Sequence, residues 1–264
     1  LPLILRILAS LVMSVATLAQ AQTTPNSSAA PDTRKSGFDY MQRATQALQQ
    51  DDSQNPAMLW VKDGEALWTK PEGSTGKSCA SCHGPAATSM RSAATRYPAY
   101  STSLKRVLNL QQQINFCRTE RQGAPSLPLE NQTLLGLESY VALQSRGLSL
   151  RPSTDKNLIA AQQKGHALFT QRMGQIDLSC KDCHTDLAGR SLAGNLIPEA
   201  HPTGYPLYRL EWQAVGGLQR RLRNCMVGVR AEPYPYGSDE MVALEAYLAS
   251  RAAGMKLESP GVRP

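Results

Sequence analysis

What the chain lacks narrows the field first. Past residue 18 the 264-residue sequence has no apolar run long enough to span a bilayer, which excludes a multi-spanning membrane protein. Histidine is scarce, four in all, at His83, His166, His184 and His201. Strand-like alternation of apolar and polar residues is rare, which points away from a sheet-based fold. Acidic residues number 21 against 28 basic ones, a formal charge of +7. That balance suits anionic substrates or acidic partners, but the charges are too dispersed to specify nucleic acid. Apolar residues, at 41%, supply core material for about two domains of ordinary size.

The one apolar run, Ile7 to Leu18, follows Arg6 and precedes Ala19-Gln20-Ala21. This is the layout of a secretory signal with cleavage after Ala21; an uncleaved anchor is the alternative, although the run is short for a span. The expectation is a signal peptide over 1–21 and a periplasmic mature chain with no membrane span. Residues 22–50 read as a flexible leader, rich in Ser, Thr, Pro and Asn as far as about Gly37, followed by the first contacts.

Four of the six cysteines lie in Cys79-Ala-Ser-Cys82-His83 and Cys180-Lys-Asp-Cys183-His184, each preceded by Ser. A C-x-x-C-H run is the attachment motif of a c-type haem. The two sulfurs bond the porphyrin and the next histidine is placed to ligate iron from one face. A zinc site needs its two cysteine pairs at a compact spacing, which these do not have, and a redox dithiol leaves both histidines unexplained. Two covalently bound haem c groups follow, on Cys79, Cys82, Cys180 and Cys183, with His83 and His184 as iron ligands.

The motifs belong to a repeat. At an offset of 101, Gly64-Glu-Ala-Leu-Trp68 falls on Gly165-His-Ala-Leu-Phe169. At 108, Tyr97-Pro98 falls on Tyr205-Pro206, and Leu110-Gln111 through Cys117 falls on Leu218-Gln219 through Cys225. At 107, Leu134, Leu137, Glu138, Tyr140 and Val141 fall on Met241, Leu244, Glu245, Tyr247 and Leu248, the face of a closing helix. Each copy reads helix, haem motif, loop, short helix with one cysteine, closing helix. The fold class is mainly α, with two tandem cytochrome c-type haem domains over 51–150 and 151–264, joined near Gly147 to Ser153. Gly64 and Gly165 would let Tyr140 and Tyr247 approach the first helix of each copy closely; the other reading is that these tyrosines are ordinary core aromatics.

The occupant of each iron's far side sets its chemistry. His166 and His201 have no counterpart in the other copy, Met226 and Met241 occur only in the second, and Met90 lies too near His83. Cys117 and Cys225 are what remains at equivalent positions. Two accounts stand open: a disulfide between them, which requires the two sites to face each other, or one sulfur ligand in each half. Thiolate ligation would favour ferric iron and low potentials.

The copies differ where Gln112, Gln113 and Asn115 become Arg220, Arg221 and Arg223, and where Ser101 becomes Arg209. On a helix Arg221 shares a face with Cys225 one turn on, where a guanidinium can lower the thiol's pKa and clamp a dianion. Arg220 and Arg223 point elsewhere, toward haem propionates or a partner surface; on the plainer account all three arginines serve propionates.

The chain resembles the SoxA family, the larger subunits of the SoxAX cytochromes of bacterial thiosulfate oxidation. The resemblance rests on Gly204-Tyr-Pro-Leu-Tyr-Arg-Leu-Glu-Trp212, Leu218-Gln-Arg-Arg221 with Cys225, and Arg230-Ala-Glu-Pro-Tyr234 with Gly237-Ser238. It implies an L-cysteine S-thiosulfotransferase that pairs with a SoxX-like monohaem cytochrome c. Such an enzyme joins thiosulfate to a cysteine of a SoxYZ-like sulfur carrier and passes two electrons to a cytochrome c acceptor. It also implies axial sulfur from Cys117 and Cys225, a persulfide nucleophile at Cys225 and substrate binding by Arg221. The alternatives are a diheme thiosulfate dehydrogenase forming tetrathionate and a plain electron-transfer cytochrome.

Overall fold

The structure, a computed structural model, describes residues 32–264. The expected signal segment and the leader as far as residue 31 lie outside the described residues. Arg34–Pro264 forms one compact unit. In chain order its regular elements begin with α1 (Arg43–Gln50), α2 (Met58–Thr69), α3 (Cys79–His83) and α4 (Ala86–Ser89). Strands β1 (Ala99–Ser101) and β2 (Arg106–Leu108) precede α5 (Leu110–Cys117), α6 (Gln132–Leu143) and α7 (Lys156–Thr170). Then come β3 (Ser191–Leu192), β4 (Asn195–Leu196), β5 (Leu207–Arg209) and β6 (Ala214–Gly216). Helices α8 (Leu218–Gly228) and α9 (Asp239–Arg251) and strand β7 (Gly261–Arg263) complete the order.

The leader differs from expectation from Arg34 onward. The Arg34 guanidinium donates to the carbonyls of Arg251 (2.6 Å) and Ala253 (2.9 Å), and Ser36 is buried with its hydroxyl on Glu258. Polar composition alone does not reveal such tethers, because their acceptors lie more than two hundred residues away.

The repeat is built as two helix pairs, α2 on α6 and α7 on α9. A Cβ at Gly64 would stand 2.0 Å from the Gly136 carbonyl oxygen and 2.8 Å from Tyr140 Cβ. At Gly165 the corresponding distances are 2.0 Å to the Ala243 oxygen and 2.7 Å to Tyr247 Cβ. Only glycine admits this approach, and Tyr140 and Tyr247 do close on it, as the sequence predicts. Each pair carries its own core. Trp68, Ala86, Leu110 and Val141 cluster in the first half, and Leu168, Phe169, Met226, Met241, Leu244 and Leu248 in the second. Met226 and Met241 are thereby core residues, 3% and 0% exposed.

The stretches read as loops contain matched antiparallel hairpins. Tyr100 pairs with Val107 and Tyr208 with Val215 in the same register, and β7 adds to β5 in parallel, Tyr208 opposite Val262. Strands of three residues are too short to display an alternation, which is why the pattern misses them.

Polar contacts interlock the halves. Gly217 N–H, at the start of α8, donates to Glu130 (2.8 Å), Asn109 Nδ2 to Glu245 (3.0 Å) and Gln112 Nε2 to the Gly237 carbonyl (3.0 Å).

Candidate haem sites and the arginine-flanked cysteine

Both haem motifs are shaped by the serine before them. Ser78 Oγ accepts from Ser81 N–H (3.0 Å) and Ser78 N–H donates back to Ser81 Oγ (3.0 Å). In the second half Ser179 Oγ accepts from Asp182 N–H (3.2 Å) while Ser179 N–H donates to the Asp182 carboxylate (2.9 Å). This reciprocal capping fixes the turn that sets two cysteines and a histidine side by side. Before each motif a tight turn seats the segment on the end of the cysteine helix. Gln175 N–H donates to the Arg230 carbonyl (3.3 Å), and Thr75 N–H to that of Gln122 (3.1 Å).

In the second half Cys225, on α8, meets the motif. His184 Nδ1 lies 2.7 Å from the Pro198 carbonyl oxygen. A carbonyl only accepts, so Nδ1 carries the proton and Nε2 is the nitrogen left for a metal, the usual arrangement of a ligating histidine. Cys225 is a neighbour of that imidazole. Burial works against the Cys225 thiolate, but His184 and the positive charges of Arg221 and Arg209 outweigh it, and the thiol lies below its ordinary range. The attachment cysteine Cys180 goes the other way: burial, with Cys225 as neighbour, pushes it up to about 11. Half-buried Tyr205 feels Arg221, Arg263, Arg209 and Cys225, so the expected arginine and the expected sulfur act on one phenol.

In the first half Cys117 ends α5 and accepts from Gln113 Nε2 (3.4 Å). It adds its charge to the burial that raises Cys79 and Tyr97. His83 is exposed, with Trp68 against its ring (centroids 5.8 Å apart) and the Trp68 indole donating to the Gly84 carbonyl (3.0 Å). Cys117 and Cys225 thus face the attachment cysteines of their own halves, and all six cysteines are free thiols. Two thiols, an adjacent imidazole and a facing sulfur form, in each half, a donor set suited to haem c.

The arginines divide their work. Arg220 stacks on Trp212 (4.3 Å), with Arg209 also over that ring (5.5 Å) and paired to Glu211 (2.8 Å). Arg223 donates to the Tyr234 carbonyl and lies over Tyr236 (4.7 Å). Protein groups thus hold one face of Arg220 and of Arg223. Their partners Trp212, Tyr234 and Tyr236 are distant or follow the helix, so helical spacing does not expose them. Arg221, among the described residues, makes no ion pair with a carboxylate, which leaves its fork of donors open to an oxyanion. His166 is exposed and packs on Tyr247 (5.1 Å), while His201 is buried with Nδ1 on the Lys35 carbonyl (2.9 Å); neither stands at either cysteine cluster. The sequence reading missed the Pro198 carbonyl, which only the return of the chain past β4 brings to His184.

Comparisons with known proteins decide the family. The model of the SoxA/TsdA cytochrome c domain matches residues 63–150 and again 164–257. The chain belongs to that family. The SoxA subunit of the L-cysteine S-thiosulfotransferase of Rhodovulum sulfidophilum is 35% identical over 232 residues, 88% of this chain and 81% of the relative. That of Pseudaminobacter salicylatoxidans is 36% identical over 229 residues, 86% and 80% of the two chains. The crystal structure of SoxXA from P. pantotrophus superimposes with a TM-score of 0.84 at 32% identity, covering 88% of this chain and 87% of that one. Within the SoxA/TsdA cytochromes the chain stands with the SoxA subunits, and it is an enzyme subunit of the L-cysteine S-thiosulfotransferase type. The fold is that of two cytochrome c domain segments, and haem c is the family's cofactor.

Proposed function

We propose that the chain is a periplasmic diheme subunit that joins thiosulfate oxidatively to a cysteine thiol of a SoxYZ-like sulfur carrier. It works with a SoxX-like monohaem cytochrome and delivers two electrons to a cytochrome c acceptor. The observation that carries this reading is the grouping of Cys225, His184 and Arg221: a thiol held toward its thiolate, near a metal-ready imidazole and an arginine that has no carboxylate partner among the described residues. Cys79 and Cys82 would hold one haem and Cys180 and Cys183 the other, with His83 and Cys117, and His184 and Cys225, as the donors available to the two irons.

A haem c bound in each half supplies an electron acceptor and a path outward. The rest falls to the side chains. Arg221 binds the sulfonate oxygens of thiosulfate through parallel N–H donors and aims its outer sulfur at Cys225, with Arg209 adding positive charge. Cys225, carried as a persulfide anion, bonds that outer sulfur; two electrons leave, and the enzyme holds a Cys225 trisulfide ending in sulfonate. The carrier thiolate then attacks the thiosulfate-derived sulfur, forms the carrier S–S–sulfonate and releases the Cys225 persulfide. Net, a carrier thiol and thiosulfate give the thiosulfonate conjugate, one proton and two electrons.

Turnover of purified holoprotein with its monohaem partner, with and without carrier, tests the reading. Carrier-dependent electron release, lost in Cys225→Ala while the first haem's spectrum persists, is the expected result. Tetrathionate formed without carrier, or full turnover by Cys225→Ala, refutes it. Intact mass with two haem increments and one extra sulfur is expected of the exported protein.

A further inference from the structure

Between the two halves lies a cavity of about 80 Å³ whose walls repeat the chain's internal symmetry. Tyr97 and Tyr205, Leu110 and Leu218, and Glu138 and Glu245 all line it, each pair related by the offsets of the sequence repeat. Leu110 and Leu218 open the two helices that carry Cys117 and Cys225, and Tyr97 and Tyr205 lie within electrostatic reach of those sulfurs. The cavity is therefore lined from both cysteine helices, with a carboxyl from each closing helix in its wall.

The carboxyls are bonded to neutral amides. Gln111 Nε2 donates to Glu138 (2.8 Å) and to Glu130 (2.8 Å), while Gln219 Nε2 and Asn109 Nδ2 both donate to Glu245 (3.0 Å each). Among the described residues neither Glu138 nor Glu245 has an ion-pair partner. The other charge facing them is Glu130, itself bonded to Gly217 N–H and offset by Arg220. Amides solvate a carboxylate without cancelling its charge, so the pair's proton occupancy answers to any further charge placed nearby. Burial first, then the neighbouring carboxylates, raises Glu138 to about 8 and burial raises Glu245 to about 7. The space is large enough to admit water to the carboxyls.

We infer that this cavity is a proton-binding site shared by the two haem halves, in which Glu138 and Glu245 take up a proton when an electron arrives at either haem. The step balances as one electron added to ferric iron and one proton from solvent added to a carboxylate, which leaves the net charge of the buried region unchanged. The electrons are those the thiosulfate oxidation releases. The inference rests on both motifs carrying haem, which a haemochrome count on the same sample decides separately.

The experiment is a spectroelectrochemical titration of the holoprotein over about pH 6–9. Midpoint potentials are expected to fall with rising pH, with a slope of up to about 59 mV per unit, the tenfold-per-pH-unit limit of a one-electron couple. Glu138→Gln and Glu245→Gln, which keep shape and hydrogen bonds, are expected to flatten it. A pH-independent wild type, or the full slope retained in both variants, overturns the inference. Should the variants not fold, the wild-type reduced-minus-oxidised infrared difference spectrum decides: a gained protonated-carboxyl band supports the site, and its absence refutes it.

Discussion

Gly165→Ala is the substitution whose cost the structure specifies best. Its new Cβ meets the Ala243 carbonyl oxygen at 2.0 Å and the carbonyl carbon at 2.6 Å. Both are backbone atoms that no rotamer change can remove, so α7 and α9 must separate by more than an ångström. Overpacking of this kind costs about 3 kcal/mol or more. The better helix propensity of alanine returns at most about 1 kcal/mol. A net loss of about 2–3 kcal/mol corresponds to a fall in Tm of about 4–12 °C for a chain of this size. Gly228→Ala is the control: it lies in α8 and a Cβ there meets nothing within 4 Å. The same chemical change is then expected to stabilise by about 0.4–1 kcal/mol. Thermal melts of the two holoprotein variants, followed by far-ultraviolet circular dichroism, provide the comparison. A Gly165→Ala protein melting within about 1 °C of the parent would refute the close-crossing argument.

Arg221→Gln, which installs the residue found at the equivalent first-half position, is expected to lower turnover about 10²–10³-fold with haem spectra unchanged, measured by carrier-dependent cytochrome reduction. Cys117→Met is expected to raise the midpoint potential of the first haem and leave the second in place, read by redox titration. Native Glu138 and Glu245 keep their protons to about pH 8 and about pH 7, whereas the unfolded carboxyls lose them near 4.5. The native state therefore binds more protons across that interval, and stability falls as pH rises through it. Melts between about pH 5 and 8 are expected to show this decline, shallower in Glu138→Gln; a parallel decline in the variant would contradict it.

The helical repeat was readable because its signals are local or internally duplicated. The Gly64 and Gly165 crossings, the cysteine motifs and the closing helices each occur twice at fixed offsets. The Arg221–Cys225 relation needed only the helical period. What stayed hidden depends on how distant segments dock. Glu138 aligns with Glu245 in the repeat, yet their meeting at one cavity follows from the packing of one half on the other. The tether of Arg34 to Arg251 and Ala253, and the Pro198 carbonyl on His184, are likewise contacts between segments that carry no shared pattern. The aromatic neighbours of Arg220 and Arg223 stayed hidden for a related reason: a nearby tryptophan or tyrosine leaves no mark in the helix's own spacing.

The parallel pairing of β5 with β7 gives the two halves different schedules of completion. Hairpin β1–β2 closes on itself within a few residues, whereas the ladder around Arg209 is finished only when the chain beyond α9 crosses back over it. Contacts that bridge so long a stretch form late, because the entropy of closing the loop must be overcome first. The ladder that holds Arg209 thus closes last, and the same closing strand takes Gln49 and its neighbour Pro260 takes Asn55, so a chain interrupted before residue 261 would leave both the β5 edge and the seat of α1 unfinished.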